Sequence, residues 1–116
     1  MSCIFCQITA GEAPATVVRE WDDALAIVPR GPVTPGHTLV IPKQHVADAG
    51  VDPAVSATTM ARAAELMAEL GAANIITSKG ADATQTVYHL HIHVVPREAG
   101  DDLPLPWTPQ QTATRN

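Results

Sequence analysis

Tyr88-His89-Leu90-His91-Ile92-His93-Val94-Val95-Pro96-Arg97 is the stretch that decides how this chain is read. Three of the five histidines stand there at every second position, with Leu90, Ile92 and Val94 between and after them. Side chains of an extended strand alternate between its two faces, so the spacing predicts one face of imidazoles and one of aliphatic residues. An ordinary half-buried strand would cover its polar face with Thr or Lys; three imidazoles in a row point to chemistry. Imidazole is a nucleophile, a general acid or base near neutral pH, and a metal ligand. The strand alone leaves all three open.

The surrounding chain narrows the field. Its 116 residues predict a single domain over 1–116 with one hydrophobic core, the last part (about 98–116) being an extended tail. Hydrophobic residues make up 46%, and no apolar run approaches the roughly 20 residues of a membrane helix, so no membrane partner is expected. Met1-Ser2-Cys3 opens with neither a basic region nor a long apolar one, which predicts a cytoplasmic protein with reduced thiols. A net charge of -5 excludes the broad basic surface of a nucleic-acid binder, and Phe5, Trp21, Tyr88 and Trp107 are few platforms for stacking bases. A phosphate-bearing partner must therefore be held by a local site.

Upstream, Ser2 is placed to cap a short helix that runs to Ala10 and stops at Gly11. Thr16–Trp21 and Ala24–Val28 read as a hairpin about Asp22-Asp23, and His37–Ile41 as a strand ended by Pro42. Between them, three prolines and two glycines from Pro29 to Gly36 impose a rigid loop, a natural wall for a site. Asp52-Pro53 opens the one long helix, whose Val55, Thr59, Ala63, Leu66 and Leu70 recur at helical spacing until Gly71. Asn74–Ser78 is a short strand, and the turn Lys79–Ala83 leads through Gln85 into the histidines. Several strands with one substantial helix predict an α+β fold on a largely antiparallel sheet.

Cys3 and Cys6 form a C-x-x-C pair, the usual first half of a tetrahedral zinc site. Its second half would have to come from histidines brought together by folding. A thioredoxin-like redox pair would need a preceding strand, which the N-terminus lacks, and two plain buried thiols are the remaining alternative. For catalysis, an imidazole with a pKa of about 6.5 is mostly neutral at pH 7 and can attack phosphorus, forming a phosphohistidine. His91 has a histidine two places away on either side, so the strand sets a nucleophile between two helpers.

These residues resemble the histidine triad (HIT) family. His89-Leu90-His91-Ile92-His93-Val94-Val95 is similar to its signature, Pro35–Lys43 to its other familiar segment, and Cys3–Ile8 with Gly11–Pro14 to the start of its Hint-like branch. The resemblance implies a HIT-like fold and a homodimer that binds a purine nucleotide or nucleotide conjugate. It implies hydrolysis or transfer at nucleoside phosphoramidates or related nucleotidyl esters through a nucleotidyl-histidine. It assigns His91 as nucleophile, His93 as its companion, and Thr86 with Gln85 to the phosphate and leaving group. It also implies a structural zinc held by Cys3, Cys6, His45 and His89, leaving His91 and His93 for chemistry.

Two positions depart from the family pattern. Pro29 stands where a carboxylate would hold the ribose, and Ser78 falls where an Asn is usual, so Arg30 becomes a candidate contact for an extra phosphate or carboxylate. Ile4, Phe5, Ile8, Ile27 and Val28 fall where the base pocket would lie, and Trp107 where a C-terminal Trp reaches the partner's site. His37 has no role beyond a structural hydrogen bond. The rival to an enzyme is a zinc-stabilised nucleotide-binding or protein-interaction module with little turnover; a catalytic metal on the triad lacks a carboxylate ligand.

Overall fold

A computed structural model describes residues 3–108. The elements are helix α1 (Ile4–Thr9), strands β1 (Val17–Glu20), β2 (Ala24–Ile27) and β3 (Thr38–Pro42), helix α2 (Pro53–Met67), and strands β4 (Ala73–Ile76) and β5 (Ile92–Pro96). All five strands lie in one antiparallel sheet in the order β1-β2-β3-β5-β4, an α+β architecture as the sequence predicts.

Alternation along the strands divides the core into two layers. Ala24, Ala26, Val40, Ile92 and Val94 face Val55, Ala63 and Leu66 of α2 on one side of the sheet. Leu25, Ile27, Leu39 and Ile41 face Phe5 of α1 on the other. Because both faces are covered, β2 and β3 are buried along their whole length. Leu39 pairs with His93 across one edge of β5 and Ile76 across the other, so the histidine face is the α1 face.

The capping of α2 follows the sequence: Asp52 accepts from the Ala54 N–H and Pro53 occupies the first turn. Its end comes earlier than Gly71. Glu69 and Leu70 donate to Leu66 and Met67, three residues back, so the last turn tightens and regular helix stops at Met67. At α1 the cap is Cys3, whose sulfur accepts from the Cys6 N–H at 3.4 Å; Ser2 lies outside the described residues.

The histidine strand is shorter than its alternation predicts. Only Ile92–Pro96 pairs in the sheet; residues 88–91 bend toward the N-terminal helix. The reason lies in the neighbours. β3 ends at Pro42, whose carbonyl is taken by His89 Nε2 at 2.8 Å, and beyond β4 the Thr77 hydroxyl binds the His91 carbonyl at 2.9 Å. Among the described residues no strand remains beside 88–91 to continue the ladder. The tail also departs from an extended course: residues 98–101 turn back on themselves, Asp101 donating its N–H to the Glu98 carbonyl at 3.3 Å. Among the described residues no helix is long and apolar enough to cross a membrane.

Candidate functional site

Bending of residues 88–91 carries His89 to the C-x-x-C pair. Its Nδ1 lies 3.4 Å from Cys3 Sγ, 3.5 Å from Cys6 Sγ and 3.1 Å from His45 Nδ1, and Cys6 Sγ is 3.3 Å from His45 Nδ1. All four ligand atoms fall within 4.8 Å of one another. Zinc–sulfur bonds of about 2.3 Å and zinc–nitrogen bonds of about 2.0–2.1 Å at tetrahedral angles require ligand separations of roughly 3.3–3.8 Å, so the cluster fits that ion with only small adjustment. The second shell agrees. Pro42's carbonyl can only accept, so His89 donates from Nε2 and turns the lone pair of Nδ1 into the cluster. His89 is fully buried, and burial lowers its pKa, favouring the neutral form that ligates. Burial, with Cys3 alongside, pushes the Cys6 thiol up.

Two residues on, His91 is governed by a second carbonyl. Its Nδ1 is 2.8 Å from the His89 oxygen and must carry the proton, which leaves the lone pair of the neutral ring on Nε2. Phe5 meets this ring edge-on at 5.2 Å and also touches His89, at 5.8 Å. Thus α1 and its cap residue Cys3 contribute both thiols and the aromatic wall of the histidine face.

His93 completes a third relationship that the sequence did not disclose. The Val33 N–H donates to His37 Nδ1 at 3.1 Å, so His37 bears its proton on Nε2 and donates it to His93 Nδ1 at 2.9 Å. His93 is thereby held with its own proton on Nε2, its ring 5.3 Å from that of His91. Burial first, then the neighbouring His91 and His37, bring the His93 pKa down to about 4. His37 is lowered too, by burial. The rings therefore form a directional array: His37 Nε2–H points to His93 Nδ1, and the neutral form of His91 carries its lone pair on Nε2.

The other expected contacts distribute unevenly. Ile27 is buried in the apolar layer with Phe5, and Ser78 lines a cleft of about 340 Å³ with His93. Thr86 is exposed and its hydroxyl makes no hydrogen bond among the described residues. Gln85 differs from expectation. Its side chain is buried, accepting from Gly80 N–H and donating to the carbonyls of Ala47 and Val87, so the amide is committed to holding the loop. Arg30 is exposed and forms no ion pair among the described residues, and Trp107 is 75% exposed.

The cleft itself was not anticipated. Its walls come from the 29–36 loop, β4, β5 and the tail segment Leu103–Leu105. The tail is fastened by Arg97, which binds both Asp101 oxygens at 2.8 and 3.0 Å, Asn74 Oδ1 at 2.7 Å and the Leu103 carbonyl at 2.6 Å. Only the four-residue separation of Arg97 and Asp101 hinted at this pairing.

An uncharacterized HIT-like protein of Mycobacterium tuberculosis is 43% identical over 110 residues, covering 89% of this chain and 76% of that protein. An adenylylsulfatase of Arabidopsis thaliana is 32% identical over 108 residues, covering 87% of this chain and 55% of its own length. Among solved structures, a zinc-bound histidine triad family protein from Mycobacterium smegmatis superposes with a TM-score of 0.79 at 38% identity, covering 99% of this chain and 89% of that one. Residues 10–100 match the HIT domain, and the chain belongs to the HIT domain family.

Proposed function

We propose that this chain is a nucleotidyl hydrolase or transferase of the Hint-like branch, acting on nucleoside phosphoramidates or related nucleotidyl esters. The observation that carries this reading is the 2.8 Å contact from His91 Nδ1 to the His89 carbonyl, which leaves Nε2 with a lone pair. That nitrogen attacks phosphorus: an N–P bond forms, the bond to the leaving atom breaks, and the leaving atom departs with the electron pair and takes a proton from water. Water then attacks the nucleotidyl-histidine, returning the electron pair to Nε2 and releasing a nucleoside monophosphate.

His93 Nε2–H and the Thr86 hydroxyl serve the phosphoryl oxygens, where negative charge accumulates. Phe5 and Ile27 supply the apolar bed for a purine, and Ser78 a hydroxyl toward the sugar or phosphate. Gln85 acts indirectly, by fixing the loop that presents Thr86. Cys3, Cys6, His45 and His89 hold a structural zinc, which when bound cross-links α1 to the histidine segment. An adenylylsulfatase relative supports hydrolysis of a nucleotide substrate, and a zinc-bound relative supports the metal. The active form is a homodimer, as the Hint-like resemblance implies.

The test is a turnover assay with adenosine and guanosine phosphoramidates, dinucleoside polyphosphates and adenylylsulfate, comparing wild type with His91→Ala. Labelled phosphate should be trapped on His91 and turnover lost in the variant; label on another residue sinks the reading. Pro29, with no side-chain acceptor for ribose, favours one rival: a binding module. Tight nucleotide binding with no turnover of any substrate would select it.

A further inference from the structure

The cleft beside His93 touches neither His91 nor the Cys–His cluster. Its volume of about 340 Å³ lies at the lower end of the range for small-ligand sites. Val33, Ile76, Val95, Leu103 and Leu105 make its walls apolar, and Ser78 and Thr84 add only hydroxyls. Arg97 is the one guanidinium among the described residues of its lining, and that group is already spent on Asp101, Asn74 and the Leu103 carbonyl. Among the described residues of the lining no free cation is left to meet an anion.

We propose that this cleft is the leaving-group subsite, seating an uncharged apolar group carried on the phosphorus, and that the clasped tail Leu103–Leu105 sets which groups fit. The proposal rests on His91 being the nucleophile. His93 joins the two places, its ring 5.3 Å from His91 on one side and in the cleft wall on the other. A group expelled from phosphorus in line with His91 moves away from His91, and through His93 the cleft is the apolar space that adjoins the nucleophile. Sulfate, phosphate or carboxylate on that group would be desolvated against apolar walls without a partner. A neutral alkyl or aryl amine would be accepted there. Once released as the neutral amine, an alkyl amine takes a further proton and becomes a cation, which the apolar walls hold poorly.

The experiment measures kcat/KM for three adenosine phosphoramidates whose leaving groups are ammonia, benzylamine and β-alanine. Wild type should prefer the benzylamine amidate to the β-alanine amidate by about tenfold or more, the discrimination ordinary for an apolar pocket. Leu105→Glu in the tail and Val33→Asp across the cleft should each reduce that ratio about tenfold. A ratio near one in wild type, or one surviving both substitutions, overturns the subsite. The ammonia amidate places nothing in the cleft, so its turnover reports on the His91 reading alone. If wild type turns over none of the three, that reading fails, and the cleft is judged by adding benzyl alcohol. Methyl resonances of Val33, Ile76 and Leu105 that shift with the alcohol support an apolar site; shifts absent, or following protein concentration instead, overturn it.

Discussion

His37 donates from Nε2 to Nδ1 of His93 across 2.9 Å, and the Val33 N–H at His37 Nδ1 fixes the direction of that bond. The rings are 56 residues apart in the chain. Neither is free to change tautomer without losing a hydrogen bond. His37→Phe should therefore let His93 exchange its proton between both nitrogens, visible as averaging in long-range nitrogen NMR spectra. Turnover should fall about tenfold, the cost of one ordinary hydrogen bond, with partial recovery in His37→Gln. Unchanged His93 nitrogen shifts in His37→Phe would show that the relay does not set the tautomer.

The depressed pKa of His93 makes stability depend on acid. In the unfolded chain the ring binds a proton near pH 6.5, whereas in the folded protein it resists until about 4. The unfolded state therefore holds more protons in that window, and stability falls as pH drops through it, levelling below about 4. His93→Gln should flatten the decline. The comparison is made by urea unfolding of both proteins at several pH values, because acid release of zinc affects them alike. Parallel curves would remove His93 as the cause.

Zinc should be present at one ion per chain. Cys6→Ser should abolish it and lower the melting temperature by more than about 10 °C, since structural zinc contributes more than the several kcal/mol this requires. Any loss of turnover should follow the loss of fold. Wild type purified without zinc, together with Cys6→Ser that melts normally, would refute the metal assignment.

Arg97→Met removes the clasp. Asp101, whose carboxyl the guanidinium holds well below the usual range, would lose that partner, and the Leu103 carbonyl, which Arg97 also binds, would be freed. Amide exchange at Asp101 and Leu103 should accelerate while α2 and β3 keep their protection. Equal exchange in both proteins would mean that the Asp101 turn stands without Arg97.

Much of this arrangement was legible in the chain. Period-two and helical spacing located the strands and the buried face of α2, because both depend on local backbone geometry. The family pattern gathered Cys3, Cys6, His45 and His89, and the structure brings these four together. What escaped were features set by distant partners. The end of pairing at Ile92 depends on where β3 and β4 run out, His37 acquires meaning only beside His93, and Gln85 is captured by the carbonyls of Ala47 and Val87. None of these leaves a periodic trace. Arg97 shows the same limit: its partners Asn74 and Leu103 lie on different elements.

The Cys3–His89 contact joins residues 86 positions apart, and this separation has a consequence during synthesis. A ribosome adding roughly 5–20 residues per second needs about 4–17 s to travel from one to the other. Throughout that interval Cys3 and Cys6 are a dithiol without His89, and for about its first half without His45 as well, open to oxidation or to scavenging by other metals. On the proposed zinc reading, the redox poise met by the nascent chain should bear on how many molecules close the cluster. Thiol-reactive pulse labelling during cell-free translation would count those that do.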